Sequence, residues 1–125
     1  MSHRIILLAH GSSDMRWCET FENLASPTLD AIPDSRIAYM ELAEPSLEKV
    51  VADGIQDGKT EFTVLPLFLA AGRHLRKDIP AIIAGLEEIH GIKIHLTPPI
   101  GESRLLGQAI KEIVTLELCK SGAHS

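Results

Sequence analysis

Two stretches of this chain are apolar at consecutive positions, and this pattern constrains the fold more than any other feature. Residues 5–9 form one such run, and residues 64–69 form the other within the segment Phe62–Leu69. A strand that is exposed on one face alternates apolar and polar side chains, whereas a strand that is covered on both faces does not. We therefore expect buried strands in a parallel sheet that lies between two layers of helices.

Strands and amphipathic helices alternate four times along the sequence. We predict strands over Arg4–Ala9, Arg36–Met40, Glu61–Phe68 and Lys93–Leu96. We predict helices that begin near Asp14, Glu44 and Lys77 and after Ser103. The first helix carries Trp17, Phe21, Leu24 and Thr28 at helical spacing. The residues expected to face inward in the last helix are Leu106, Ala109, Ile110, Ile113 and Leu116. This alternation predicts a single α/β domain over residues 1–125, with a flavodoxin-like open parallel sheet in the order 2-1-3-4 and helices on both faces.

Composition and charge exclude several classes of partner. The 125 residues carry a net charge of −5, whereas a protein that binds nucleic acid needs a basic face for the phosphates. No apolar stretch approaches the roughly 20 residues of a membrane span, so we expect neither a nucleic-acid nor a membrane partner. Cys18 and Cys119 are distant in sequence and form no CxxC motif, which is typical of reduced cytoplasmic proteins. We therefore expect a cytoplasmic location.

Two histidines occupy the same position in two of the strand–helix units. His10 directly follows the first apolar run, and His74 closes the segment that the second run begins. In the predicted sheet these two strands are neighbours at the point where the strand order reverses, which is where open α/β sheets bind ligands. Neutral imidazole binds transition metals and also accepts protons near neutral pH. The pair therefore indicates metal handling or proton transfer.

The residues around the two histidines favour an anionic ligand. Gly11 lets the backbone approach a ligand closely, and the amides of Ser12 and Ser13 lie at the start of a helix, where anions are attracted. Arg73 and Arg76 lie beside the second histidine, near the predicted start of a helix. Cations are unfavourable there because the helix dipole is positive at that end, and a bound anion would offset this repulsion. The alternative interpretation of both segments is an ordinary helix start.

Glu41 follows the second strand on the same rim of the predicted sheet. It either completes a constellation with His10 and His74, as a metal ligand or a general base, or is a plain surface carboxylate. The sequence contains no G-x-S-x-G, Walker A or G-x-G-x-x-G motif, so it offers no sign of a serine hydrolase or of a nucleotide-binding loop.

Several short motifs together resemble one protein family. They are His10-Gly11-Ser12, Phe21-Glu22, the segment from Met40-Glu41-Leu42-Ala43-Glu44 to Pro45-Ser46-Leu47, Leu65-Pro66-Leu67-Phe68-Leu69, Gly72-x-His74 and Asp78-Ile79-Pro80. Each motif is weak alone, but the ordered set covers nearly the whole chain. The set is similar to the class II tetrapyrrole chelatases, and in particular to the short-form sirohydrochlorin cobaltochelatases of the small CbiX type.

The resemblance implies an enzyme, a chelatase lyase that inserts a divalent metal into sirohydrochlorin during cobalamin or sirohaem (porphyrin-type tetrapyrrole) synthesis. It implies a single chelatase half-domain that pairs as a homodimer. The metal is a substrate, cobalt first with iron or nickel as alternatives, and no cofactor is permanently bound. The implied metal ligands and catalytic residues are His10 and His74, with Glu41 as the site glutamate. The implied substrate-binding residues are Gly11, Ser12, Ser13, Leu67, Phe68, Leu69, Gly72, Arg73 and Arg76.

Two positions depart from the family pattern. Ser13 stands where many relatives have arginine, which removes one contact to a substrate carboxylate. Arg73 stands where small residues are frequent, and we interpret it as a replacement for that charge. The same residues would also serve a metal or tetrapyrrole carrier that does not catalyse. The remaining alternatives are an enzyme that handles phosphate with His10 as nucleophile, and a flavodoxin-like interaction domain.

Overall fold

The computed structural model describes residues 3–70 and 72–121, except for the side chains of His74 and Ser121. Within these residues four strands alternate with four α-helices. In chain order the elements are β1 His3–Ala9, α1 Met15–Ala31, β2 Ser35–Tyr39, α2 Leu47–Gln56, β3 Glu61–Pro66, α3 Arg73–His90, β4 Lys93–Leu96 and, after a short 3₁₀ turn at Ile100–Glu102, α4 Arg104–Ser121. None of the helices in the described ranges combines the length and the apolar character that crossing a bilayer requires.

The four strands form one parallel sheet in the order β2-β1-β3-β4, which confirms the predicted topology. β1 is paired on both edges, and Leu8 lies between Ala38 of β2 and Pro66 of β3. The strand order therefore reverses at β1. The carboxyl ends of β2, β1 and β3 are adjacent at one edge of the sheet, and that edge carries the predicted site residues.

Both faces of β1 are covered, as the consecutive apolar positions predict. Ile6 and Leu8 are fully buried in a core that α2 and α3 complete on one face of the sheet. On the other face, Ala9 packs with Cys18 of α1 and Tyr39 of β2. Helices therefore lie on both faces of the sheet, in agreement with the sequence.

The start of α2 differs from the prediction. The helix begins at Leu47 rather than near Glu44. The hydroxyl of Ser46 accepts a hydrogen bond from the N–H of Lys49 at 3.1 Å and caps the helix, which is the usual role of serine at this position. The preceding residues consequently form a loop at the end of β2.

The bounds of β3 and α3 also differ from the prediction. β3 ends at Pro66 rather than at Phe68. The residue after Pro66 still donates its N–H to the carbonyl of Leu8 at 2.8 Å, and the chain then leaves the sheet. α3 begins at Arg73, one turn before the predicted Lys77. The loop between strand and helix is therefore short, and the basic residues lie inside the first turn of α3.

The prediction that the apolar face of α4 points inward is wrong. Ala109, Ile110, Ile113 and Leu116 are exposed, and Leu106 is half-buried. In α1 Trp17 and Leu24 are likewise exposed, Phe21 and Thr28 are half-buried, and Cys18 and Ala25 are the buried residues. Helical spacing identifies an apolar face, but it does not say which surface covers that face.

Gly54 of α2 lies directly against the buried ring of Phe62. A β-carbon at this position would lie 2.7 Å from Cε1 of that ring. Phe62 is only 1% exposed, so the ring has no free space to move into. The close approach of α2 to β3 therefore depends on the missing side chain.

We expect Gly54→Ala to lower the free energy of unfolding by about 1–2 kcal/mol. Overpacking in a filled core costs about 1–3 kcal/mol, and the helix propensity of alanine offsets less than ~1 kcal/mol of that. Gly85→Ala is the matched control, because a β-carbon at Gly85 in α3 meets no atom within 4 Å. Urea unfolding of both variants tests the prediction, and equal stabilities would contradict it.

Tyr39 is buried with a carboxylate beside it. Its hydroxyl lies 3.4 Å from Oε2 of Glu22 and 3.5 Å from the carbonyl oxygen of Cys18. Burial of the phenol raises the pKa of Tyr39 to about 12, and the negative charge of Glu22 adds to the shift. The folded protein therefore holds this phenol protonated at pH values where the unfolded chain releases the proton.

The free energy of unfolding should consequently fall as the pH rises from about 10, the ordinary tyrosine pKa, to about 12. In this window the unfolded chain binds fewer protons than the folded one. Tyr39 is the only tyrosine in the chain, so tyrosinate absorbance reports it alone. Glu22→Gln should lower the pH midpoint of the Tyr39 titration. Glu19→Gln, on the exposed side of α1, should leave that midpoint unchanged. A midpoint near 10 in the unaltered protein would contradict the assignment.

Candidate functional site

His10 is the first residue after β1, and its side chain is exposed at the edge of the sheet. The imidazole and the ring of Phe68 lie with their centroids 5.8 Å apart and their planes at 63°, an edge-to-face contact. Such contacts orient aromatic rings. His10 is thus held by a residue that follows the neighbouring strand, while its nitrogens remain accessible to a ligand.

Glu41 is joined to His10 through the backbone. The N–H of Glu41 donates to the carbonyl of His10 at 3.3 Å. Gly11 has φ +98, and a β-carbon there would overlap the carbonyl oxygen of Glu41. Only glycine therefore permits this approach of the two loops. The contact fixes the backbone of Glu41 next to the histidine, and the carboxylate is on an exposed residue.

The turn from Gly11 to Ser13 has backbone N–H groups available to a ligand. Within the described residues, none of these three groups donates a hydrogen bond to the protein. The hydroxyl of Ser12 instead accepts from the N–H of Asp14 at 3.0 Å. Asp14 caps α1, and its hydrogen bonds with Arg16 hold the pKa of that carboxyl below its usual value. Successive free amides before a helix form a suitable site for a carboxylate.

The segment after β3 supplies apolar side chains on the other side of His10. Leu67 is half-buried, Phe68 is buried and Leu69 is exposed. The N–H of Gly101 donates to the carbonyl of Phe68 at 3.0 Å, and a β-carbon on Gly101 would overlap the carbonyl of Leu69. The segment that follows β4 therefore supports this loop from behind.

The first turn of α3 carries the predicted basic residues. Gly72 precedes the helix without a side-chain cap, and Arg73 and Arg76 are exposed. The backbone of His74 lies in the same turn, but its side chain lies outside the described part of the structure. The pairing of His10 with His74 therefore stays a prediction.

Two cavities flank the edge of the sheet. One has a volume of about 260 Å³, and its lining includes Ser12, Ser13, Tyr39 and Leu42. The other has a volume of about 310 Å³, and its lining includes Phe68 and Arg76. Among the described side chains, no group of three or more His, Cys, Asp or Glu residues gathers at a metal-binding distance. A metal at His10 would therefore need further ligands from outside this set or from the substrate.

Sequence reasoning missed Leu42 and Gly101. Leu42 has a φ of +63 and is exposed, and nothing in the sequence marks a leucine for that conformation. Gly101 supports the loop after β3, and its only sequence signal was a glycine after two prolines. The contribution of Gly101 depends on a contact between distant parts of the chain.

The sequence and the fold match known proteins. The CbiX family matches residues 4–116 of this chain. The crystal structure of a putative cobalamin (vitamin B12) biosynthesis CbiX protein from Marinobacter aquaeolei VT8 is 58% identical, with a TM-score of 0.92 over 98% of this chain and 99% of that one. The sirohydrochlorin cobaltochelatase of Sulfurisphaera tokodaii is 31% identical over 124 residues, which are 97% of this chain and 98% of the relative.

A longer protein is also similar. The sirohydrochlorin chelatase SirB from Bacillus subtilis subspecies spizizenii, in complex with cobalt, is 25% identical with a TM-score of 0.79, over 92% of this chain and 50% of that one. This chain therefore spans about half the length of SirB. The family match covers most of the chain, and the resemblance first seen in its motifs is confirmed: the chain belongs to the CbiX family.

Proposed function

We propose that this chain inserts a divalent metal into sirohydrochlorin, with cobalt as the metal and iron as the alternative, and that it does so as a homodimer. The observation that carries the proposal is the exposed imidazole of His10 at the point where the strand order reverses, with the backbone of Glu41 fixed beside it. The names of the relatives from S. tokodaii and B. subtilis support the same chemistry.

The metal is held at the edge of the sheet by few protein ligands. His10 and His74 would donate neutral imidazole nitrogens, and water or the substrate would fill the other positions. A site with few protein ligands releases its ion, whereas a closed site of four ligands retains it. Cobalt, iron and nickel all accept imidazole. Two histidines therefore suit a metal that must leave for the macrocycle.

Metal insertion exchanges one divalent ion for the two protons on the pyrrole nitrogens of the substrate. A general base must accept these protons. Glu41 is the proposed base, since its backbone is anchored to His10 and its side chain is on an exposed residue. The carboxylate can then pass the protons to solvent, and the histidines remain free to hold the ion.

Sirohydrochlorin is a polycarboxylate, so its rim needs hydrogen-bond donors and positive charges. Its apolar ring needs apolar contacts. The proposed donors are the amides of Gly11, Ser12 and Ser13 and the guanidinium groups of Arg73 and Arg76. Ser13 adds no charge to this rim, and Arg73 is the proposed source of that charge. The proposed apolar contacts are Leu67, Phe68 and Leu69.

A second copy of this chain is the partner that we propose for α4. From Arg104 to Lys120 every residue except Leu106 is exposed, and Ile110, Ile113 and Leu116 project apolar side chains. On the sheet, Leu65 of β3 is half-buried and lines a largely apolar cavity of about 540 Å³. Contiguous exposed apolar surface of this kind marks interfaces. Two copies would also supply in two chains the length that SirB has in one.

We expect His10→Ala and His74→Ala to lower the rate of cobalt insertion by ~100-fold or more, since each removes a metal donor next to the proposed base. His90→Ala is the control, because His90 ends α3 at the opposite edge of the sheet. The measurement is the anaerobic absorbance of sirohydrochlorin and cobalt with catalytic amounts of protein. Full activity in His10→Ala would refute the site, and a stoichiometric shift without turnover would indicate a carrier.

We expect the unaltered protein to have a mass of about 27 kDa in solution, twice the 13.6 kDa of one chain. The double variant Ile110→Glu/Ile113→Glu should be a monomer, because charges on the apolar face of α4 cannot be buried unpaired. Gln108→Glu/Thr115→Glu adds the same charge at two other exposed positions of α4 and should remain a dimer. Analytical ultracentrifugation decides this, and a fully active monomer of the unaltered chain would contradict the proposal.

A further inference from the structure

Leu42 adopts a backbone conformation that leucine rarely occupies. Among residues 3–70 and 72–121 it is the one residue other than glycine with a positive φ, which is +63. In this left-handed region the β-carbon crowds the following carbonyl, so glycine and asparagine occur there far more readily. Strained residues of this kind concentrate at functional sites.

Burial in the core does not explain a leucine at this position. The side chain is 68% exposed, so removing it would cost the core little. Glycine or asparagine would adopt this backbone conformation with less strain, and either would make the surface of the loop less apolar. The leucine therefore has neither a backbone nor a packing reason within the described chain.

The position of Leu42 relates it to the proposed site. It directly follows Glu41, whose N–H bonds to the carbonyl of His10. It also lines the 260 Å³ cavity together with Ser12 and Ser13, the residues whose amides are available to a carboxylate. The side chain thus lies on the β2 side of His10. It is also close to the backbone amides that are proposed to bind a carboxylate of the substrate.

A second exposed leucine lies on the other side of the histidine. Leu69 is 77% exposed and follows Phe68, whose ring contacts the imidazole of His10. Its backbone packs directly against Gly101, so that a β-carbon on Gly101 would overlap the carbonyl of Leu69. Because β1 lies between β2 and β3, His10 lies between the loops that present Leu42 and Leu69.

We propose that Leu42 and Leu69 form an apolar clamp that contacts the ring of the tetrapyrrole on either side of His10, and that Leu42 is a substrate-binding residue of this chain. The inference rests on the proposed function. A tetrapyrrole has an apolar ring and a rim of carboxylates, so one ligand would use both the clamp and the amides of the adjacent turn. The strained loop places the Leu42 side chain where the ring can cover it.

The test is the affinity for metal-free sirohydrochlorin, measured by absorbance titration, in the unaltered protein and in Leu42→Asn and Leu42→Gly. Both residues tolerate the left-handed conformation, so the melting temperature should be unchanged or higher. Loss of one apolar contact should weaken binding about 10-fold. Leu42→Met keeps an apolar side chain and should restore most of the affinity.

Two controls separate the clamp from other causes. Ile89→Asn removes an apolar side chain of similar exposure near the end of α3, and it should leave the affinity unchanged. The affinity for Co²⁺ alone should be the same in all Leu42 variants, since the side chain carries no donor. The mass in solution is measured on each variant, so that a change in assembly is detected.

The outcomes are distinguishable. If the unaltered protein neither binds nor metallates sirohydrochlorin, the proposed function fails. If it does both and Leu42→Asn binds equally well, the proposed function stands and the clamp is refuted. Weaker binding that accompanies loss of the dimer, or that Leu42→Met fails to restore, would also refute the clamp and assign Leu42 to assembly or to loop structure.

Discussion

The structure depends on β1 being paired on both edges and covered on both faces. Ile6 and Leu8 are fully buried, and the strand is hydrogen-bonded to β2 and to β3. A shift of its register would break the pairing on both edges and would move each apolar side chain to the opposite face of the sheet. His10 leaves the sheet directly at the end of this strand. Its location is therefore determined by a strand that is paired on both edges and covered on both faces.

The opposite edge of the sheet has a different character. Arg4 is buried at the start of β1 and donates to Asp57 at 3.1 Å, and Lys59 bonds to Asp34 at 2.9 Å. These charged groups form ion pairs with one another. At the site edge, by contrast, the loops are joined through backbone atoms, as in the contact of Gly11 with Glu41. Backbone contacts keep the loops in place and leave the functional side chains exposed for ligands.

The apolar faces of α1 and α4 show the limit of reasoning from helical periodicity. The stripe of α4 through Ile110 and Ile113 is regular, and the expectation that it faces this chain's own sheet was wrong. In a protein of about half the length of SirB, an apolar helix face can serve the contact between two copies. The pattern reports that a surface avoids water, and the identity of the covering surface depends on assembly.

The sequence by itself determined the fold class and the strand order, and it predicted that the candidate site lies where that order reverses. Consecutive apolar residues in β1 require two covering layers, and alternation with helices then permits few topologies. The residue types at His10, Glu41 and the basic turn before Lys77 indicated the chemistry. Only the tertiary structure decided which loops touch, because the close approach of Gly11 to Glu41 and that of Gly101 to Leu69 occur between residues that are distant in sequence. Local patterns do not encode such contacts, since these depend on how the packed strands bring the backbones together.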